Sequence, residues 1–338
     1  MHTGKHYKFR EVLYWTRREI FGLLLLGTVP TVLFEVWDIK LTIPWLPIAL
    51  IGTAVAFIVG FKNNATYGRL WEARQIWGAI INASRSWGIM VNDFVTTKNS
   101  TLNHSGDDLK KIHTRLIYRH MGWLTALRFQ LREPRAWENL NTSYNAEYRR
   151  HYSIPEHESK LEVELAKFLS EDEMRYVLSK KNRATQLITL QSRELRLLTE
   201  NGLIDNLGHF GLENMLVNMY EQQGKCERIK NFPYPRQFAT INLYFARLFT
   251  FLVPFGMLQE FDKLGDYYVW LTIPFTVLVC WVFLAMEKIG EATENPFEGT
   301  PNDIPMAALC RTIEIDLREM LDEKDVPPPV GAVNNILM

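Results

Sequence analysis

The residues best suited to bind a metal ion are Asp205, His209 and Glu213, which follow one another at intervals of four. This spacing puts them on one face of a helix, and divalent transition metals accept such carboxylate and imidazole ligands. Three such positions extend over two helical turns, about 12 Å along the axis, which is too far for one ion. We therefore expect a solvated helix face and no metal site.

Other residues that could do chemistry form no recognisable catalytic set. His113 and His120 lie seven residues apart, on the same side of a predicted helix, and are interpreted as a hydrogen-bonded or solvated pair. The sequence has no phosphate-binding loop, dinucleotide fingerprint, zinc-protease motif or nucleophile elbow. It therefore argues against an enzyme and indicates no cofactor.

The cysteines and the charge balance exclude further classes of protein. The three cysteines, Cys226, Cys280 and Cys310, form no CxxC pair, so we expect neither a disulfide framework nor a zinc site. We expect instead that they lie on the reducing, cytosolic side. Basic and acidic residues number 38 each, which gives no electrostatic reason to bind nucleic acid.

Four apolar segments must position whatever chemistry the chain carries: residues 20–36, 43–61, 240–258 and 267–286. The second has no charge over 19 residues, about 28 Å as a helix, which matches the hydrocarbon thickness of a bilayer. The first contains Pro30, which we expect to break it, and lacks a signal-peptide cleavage site. We therefore predict four transmembrane helices, the first one retained.

Arg247 lies inside the third apolar segment. An ionised arginine is expensive in lipid, so it should face protein or water. Glu35, near the end of the first segment, is a candidate partner. Arg247 could therefore either form a structural ion pair or lie in an ion pathway.

The second segment carries two patterns at helical spacing. Small residues recur at Ala49, Gly52, Ala56 and Gly60, which allows helices to approach closely and suggests contacts between copies of the chain. Offset from them is the set Thr53, Phe57 and Phe61. This set is either ordinary packing or a pore lining with one polar and two aromatic rings.

The rest of the chain is predicted to be helical. The pattern of the second span continues without a breaker from Lys62 towards Phe94. Further helices are expected at 109–131, 161–169, 171–178 (capped by Ser170), 182–198 and 205–223, with an irregular connection at 133–157. A final amphipathic helix carries Leu309, Ile313, Leu317 and Leu321 on one face, before an extended, proline-rich tail.

Charge and hydropathy divide this all-α chain into five parts. They are a cytosolic segment 1–19, transmembrane helices 1 and 2 at 20–61, a cytosolic helical domain 62–238, transmembrane helices 3 and 4 at 239–287, and a cytosolic helix and tail at 288–338. Basic residues are concentrated before the first span and after the second, which places both termini in the cytosol.

Three motifs, in order and among four membrane spans, resemble those of the bestrophin ion channels in their bacterial form. They are Asn64-x-x-Tyr67-x-Arg69-x-Trp71-Glu72-Ala73-Arg74-x-x-Trp77-Gly78, then Gly224-x-Cys226-Glu227-Arg228-Ile229 followed by Pro233-Tyr234-Pro235, and finally Glu294-Asn295-Pro296-Phe297. The resemblance covers roughly residues 5–325.

The resemblance implies a homopentamer around a central pore, in a bacterial inner membrane. By position, the hydrophobic neck falls on Thr53, Phe57 and Phe61, and the cytosolic aperture on Leu207. The family's neck is usually apolar, so Thr53 departs from it. His209 would be a pH sensor if it faces the cytosolic vestibule.

The implied function is passive passage of small monovalent ions, with chloride or other anions favoured. The alternatives are a sodium-type cation channel, or a membrane-anchored ligand-binding or scaffold protein. Partners would be other copies of the chain, inorganic ions and the bilayer.

Animal relatives bind calcium through an acidic run after the third motif. Glu298 and Asp303 are the only carboxylates left there, and Ca²⁺ takes six or more oxygen ligands. We expect no calcium site, and Asp303 could instead cap the helix that follows.

Overall fold

The computed structural model describes residues 1–98, 100 and 106–338. Residues 99 and 101–105, which belong to the predicted 62–238 domain, lie outside the described residues. The described α-helices are Phe9–Trp15 (α1), Arg17–Trp37 (α2), Trp45–Phe94 (α3), Gly106–Arg132 (α4), Ser143–Tyr148 (α5), Pro155–Glu158 (α6), Leu161–Leu165 (α7), Glu171–Leu178 (α8), Arg183–Glu200 (α9), Asn206–Asn231 (α10), Arg236–Asp262 (α11), Thr272–Ala292 (α12) and Met306–Met320 (α13). Short 3₁₀ helices occupy Arg149–His151 and Asp266–Leu271. Because the described residues form no β-strand beyond isolated bridges near the termini, the predicted all-α fold is confirmed.

Four helices form what we call the membrane layer: α2, the first part of α3, α11, and α12 with the 3₁₀ turn before it. Each is long and apolar enough to cross a bilayer. They share a core of their own, which includes Leu23, Ile48, Val55, Phe249 and Val253. The four predicted spans are therefore confirmed.

The predicted break at Pro30 is wrong, because α2 continues through it to Trp37. Proline lacks one N–H donor, but a helix supported by neighbouring helices in a membrane tolerates that loss. Pro30 is buried, and Pro254 is likewise accommodated inside α11.

Helix α3 connects the two halves of the molecule. It runs for 50 residues without interruption, about 75 Å at the helical rise. Its second half carries Trp77, Ile80, Trp87 and Val91, all completely buried. The prediction that the second span leaves the membrane as one helix is confirmed.

The remaining long helices form, with the second half of α3, what we call the helical domain: α4, α10 and α13 pack against α3, and α9 packs on α4 and α10. Their shared core includes Trp123, Leu195, Leu212 and Ile313. Helix starts are fixed by side chains that accept backbone N–H groups. Ser170 accepts from Glu173 N at 3.4 Å, which confirms its predicted cap.

The predicted irregular connection at 133–157 is wrong in part. It contains α5, a 3₁₀ turn and the start of α6. Buried hydrogen bonds stabilise these turns despite weak local propensity: Asn145 Nδ2 donates to Asn139 O at 2.8 Å, and Tyr152 Oη donates to Gly299 O at 2.8 Å.

The proline-rich tail after α13 has no regular structure until a turn at Val333 and Ile336. Its last residues are anchored. Ala308 N donates to Met338 O at 2.8 Å, and Ile336 and Met338 are buried against Tyr152. The three cysteines are free and buried.

Candidate functional site

The predicted neck residues lie together on one uncovered face of α3. Within the subunit Phe57 is 65% exposed and Phe61 is 72% exposed, and Thr53 is exposed as well. The opposite face, with Val55 and Val59, is buried in the membrane layer. The exposed face carries no charge from residue 45 to residue 61, so water or ions beside it would find few ligands.

Thr53 is the polar member of this face. Its hydroxyl donates to Ala49 O at 3.0 Å, one turn earlier in the same helix. This bond uses its proton but leaves a lone pair on the oxygen. Thr53 therefore offers an acceptor to whatever faces this side of α3.

The small residues of α3 have different surroundings within the subunit. A Cβ on Gly52 would lie 2.6 Å from the ring of Phe249, so this glycine allows α11 to approach within the subunit, whereas a Cβ on Gly60 would have no neighbour within 4 Å. The prediction that Gly52 mediates contact between copies is wrong, because its surface is already used. A role for Ala56 and Gly60 in assembly stays a prediction.

A buried ion pair follows the neck directly. Lys62 Nζ bonds to Glu287 of α12, and their side chains are only 3% and 6% exposed. Burying two charges is costly unless they pair, so each requires the other. This pair was not predicted from the sequence. The one available signal was that a lysine ends the second span and a glutamate ends the fourth.

Arg69, from the first sequence motif, joins three parts of the chain. Its guanidinium donates to the carbonyls of Glu294 at 3.1 Å, Ile229 at 3.1 Å and Phe232 at 3.0 Å. It therefore ties α3 to the end of α10 and to the turn after α12. These are the three regions whose motifs carry the bestrophin resemblance.

Helix α10 runs antiparallel to the second half of α3, and this places the predicted aperture far from the neck. The end of α10 meets Arg69, whereas a Cβ on Gly208, at its start, would lie 3.2 Å from Phe94. Leu207 is 84% exposed there. Counted along α3, Phe57 and Leu207 are separated by roughly 55 Å.

His209 is separated from Leu207 by about 200° around the helix axis. It is half-buried, and its Nδ1 is buried without a hydrogen-bond partner among the described residues. The two residues therefore face opposite ways in the subunit. A pH-sensing role for His209 stays a prediction.

The other candidate ligands have structural roles. Asp205 accepts from Gly208 N at 2.6 Å and so caps α10. His113 Nε2 bonds to Val95 O at 2.8 Å, and His120 Nε2 bonds to Ser84 Oγ at 2.9 Å. The pKa of His120 is lowered to about 3 by complete burial, which keeps the ring neutral at pH 7.

Arg247 faces a cavity of about 360 Å³ at the side of the membrane layer, together with Glu19, Glu287 and Glu291. It makes no ion pair with any residue that the structure describes. Glu35 was the wrong candidate, because it lies 16 positions beyond Glu19, about 24 Å along α2.

Glu298 and Asp303 lie in the turn after the third motif and are almost fully buried. Asp303 accepts from the backbone N of Gly299 at 2.6 Å and of Thr300 at 3.0 Å. The expectation that Asp303 caps the following helix is therefore wrong, because it holds the preceding turn instead. Arg132 approaches the same carboxylate at 3.6 Å.

Glu298 Oε2 accepts from Asn139 N at 2.8 Å, while its Oε1 has no partner in the described part of the chain. Burial raises the pKa of Glu298 well above its usual range, and the nearby Asp303 raises it further. An arginine and backbone amides thus surround the Asp303 carboxylate, whereas one oxygen of Glu298 is left without a partner among the described residues. No group of three metal-binding side chains occurs among the described residues.

These features define a helical membrane protein with an uncharged, exposed face on α3 and a connected helical domain. The family model described as Bacterial/Fungal Bestrophin protein matches residues 11–319, more than nine-tenths of the chain. The chain therefore belongs to the bacterial bestrophin family.

Characterised relatives support this class. The voltage-dependent anion channel-forming protein YneE of Salmonella typhi is 26% identical over 314 residues, covering 91% of this chain and 89% of its own. A voltage-dependent anion channel-forming protein of Ralstonia nicotianae is 27% identical over 339 residues, covering 96% and 95%.

The fold has solved counterparts. The crystal structure of a bacterial bestrophin homolog from Klebsiella pneumoniae superposes with a TM-score of 0.72 at 22% identity, covering 93% of this chain and 100% of that one. At this identity the likeness establishes the fold alone.

Proposed function

We propose that this chain forms a homopentameric channel that passes small monovalent ions passively and favours anions. The observation that carries the proposal is the uncharged, exposed face of α3 with Thr53, Phe57 and Phe61. Five copies of that face around one axis would enclose a neck with two aromatic rings and one hydroxyl ring. The name of the relatives, anion channel-forming proteins, supports the preference for anions.

The antiparallel pairing of α3 and α10 supports a second constriction. The same axis would bring five exposed Leu207 side chains together roughly 55 Å from the neck. Between these points the pore would be lined by the polar exposed face of α10, which includes Asn214 and Asn218. We infer a wide vestibule between two apolar rings.

The relatives are named as anion channel-forming proteins, so we infer a channel without enzymatic activity. We also propose a bacterial inner-membrane location with both termini and the helical domain in the cytosol. The distribution of lysine and arginine in the loops supports this orientation. Calcium is not part of the proposed gating, because Asp303 is already held by an arginine and backbone N–H groups.

The decisive experiment measures reversal potentials of the purified protein in planar bilayers under a tenfold KCl gradient. An anion channel should reverse near the chloride equilibrium potential, about 59 mV from zero. Reversal near the potassium value would establish the cation-channel alternative. The absence of any flux from proteoliposomes would leave a scaffold or ligand-binding protein and refute the channel.

Assembly is tested separately by native mass in detergent. Five copies of the 39.5-kDa chain amount to about 198 kDa. A monomeric or dimeric wild-type protein would refute the pentamer.

A further inference from the structure

A second cavity lies in the helical domain, away from the exposed face of α3. It has a volume of about 280 Å³ and lies between the end of α4, the short α6 and the hairpin that joins α8 to α9. We call it the α4–α9 cavity. Its wall includes Phe129, Arg132, Glu156, His157, Lys181 and Arg183.

Arg132 is a buried cation in this wall, with its side chain only 1% exposed. It lies between two carboxylates, with Nε 3.5 Å from Glu156 Oε2 and Nη1 3.6 Å from Asp303 Oδ2. At those distances the charges attract, but Nε and Nη1 have no hydrogen-bond acceptor among the described residues. Buried arginine N–H groups normally have acceptors, so these two are an unusual feature of the site.

Two further cations line the cavity without a carboxylate partner. Lys181 and Arg183 make no ion pair with any residue in the described ranges, and Arg183 Nε is buried without an acceptor. Arg183 is also the first residue of the 18-residue helix α9, whose first-turn N–H groups carry partial positive charge. The start of α9 is already capped by Asn182, whose Oδ1 accepts from Thr185 N at 3.0 Å, so the unpaired positive charge at the cavity is that of the two side chains.

The acidic residues of the wall form ion pairs, although Glu156 Oε2 accepts no hydrogen bond from the described residues. Glu156 Oε1 bonds to Arg128 at 2.6 Å, and Glu133 lies 3.4 Å from Arg135. Burial lowers the pKa of His157, and the charge of Arg132 lowers it further, so this ring is neutral at pH 7. The positive charge left without an ion-pair partner in the wall is therefore that of Lys181 and Arg183.

We propose that the α4–α9 cavity binds a small anion that carries phosphate groups. Arg183 and Lys181 contact its oxygens at the rim, while Arg132 stays paired with Glu156 and Asp303 in the wall. A phosphate offers several acceptor oxygens to N–H donors and matches the fork of a guanidinium. The volume lies just below that of sites for drug-sized molecules, so the ligand has the size of pyrophosphate or a small sugar phosphate.

The proposal is tested by titrating pyrophosphate into the purified full-length channel in detergent, with calorimetric detection at constant ionic strength. Saturable binding is expected for the wild type. The double variant Lys181→Gln/Arg183→Gln should bind at least tenfold more weakly, because it loses both unpaired cations. Absence of saturable binding to the wild type would overturn the proposal.

The matched control is Arg175→Gln/Lys180→Gln, which removes the same charge from the same hairpin. Arg175 is 71% exposed and pairs with acidic residues of its own helix, and neither residue lines the cavity. The affinity of this control variant for pyrophosphate should stay within twofold of the wild type. An equal loss of affinity in both double variants would show that only the net charge matters and would overturn the site. The single variant Lys181→Gln, at an exposed side chain, gives the same information if the double variant misfolds. Citrate that binds as tightly as pyrophosphate would overturn the phosphate class.

Discussion

Truncation of Phe57 to alanine separates a pore lining from a packing role, because the two predict different sizes of effect. Removing a fully buried Phe side chain costs about 3–5 kcal/mol. Phe57 is 65% exposed in the subunit, so about a third of that cost, roughly 1–2 kcal/mol, is expected from packing within the subunit. The variant should therefore fold. In the proposed pore the wider ring admits water and lowers the barrier to ions, so its conductance should rise.

The assay is single-channel recording in planar bilayers, with assembly checked by native mass. The matched control is Phe249→Ala, which truncates an aromatic ring of the same membrane layer that is only 3% exposed. The free energy of unfolding of that variant should fall by the full amount for a buried Phe, about 3–5 kcal/mol, and its melting temperature should fall with it. If Phe57→Ala assembles like the wild type yet conducts no better, α3 does not line the pore.

Four further predictions follow from contacts described above. Lys62→Met should destabilise the protein by about 3–5 kcal/mol, because it leaves Glu287 buried without a partner. Adding Glu287→Leu should restore most of the melting temperature, and no recovery would contradict the pairing. Gly52→Ala should lower the free energy of unfolding by about 1–3 kcal/mol through overpacking, and with it the melting temperature. Gly60→Ala should change neither, and equal effects of the two variants would refute the contact between Gly52 and Phe249. The pKa of His120 is about 3 in the folded protein and ordinarily 6.5, so only the unfolded chain takes up this proton between those values. Stability should therefore fall by about 1.4 kcal/mol per pH unit below pH 6.5. His120→Phe should flatten this pH dependence of stability, measured by urea titrations. An unchanged slope would show that His120 is not its source. Currents recorded in chelator and in micromolar calcium should match, and a steep calcium dependence would show that the acidic turn binds metal.

The sequence predicted the helices well because their signals are local. An uncharged run of membrane length, an unbroken helical pattern after Lys62 and a serine cap at Ser170 each depend on neighbouring residues. The uncovered face of Thr53, Phe57 and Phe61 was also visible as a spacing. These features needed no knowledge of which helices meet.

The errors concern contacts between distant parts of the chain. Nothing near Gly52 indicates that a ring of α11 fills its surface, and nothing near Asp303 indicates that Arg132 approaches it. The α4–α9 cavity likewise depends on Arg132 and Arg183, 51 positions apart. Such pairings depend on the order in which helices pack, which single-sequence patterns do not record.

The length of α3 limits the kind of movement that could open the proposed pore. A helix without a proline kink or a bulge has no hinge, so its two ends move together. Phe57 lies 37 residues from the end of α3 at Phe94, a lever arm of about 55 Å. Tilting this rod by one degree about its far end would displace the ring of Phe57 by about 1 Å. In the proposed pentamer, small rotations among the tryptophan-packed helices of the helical domain would therefore be amplified along α3 and would change the diameter of the proposed neck.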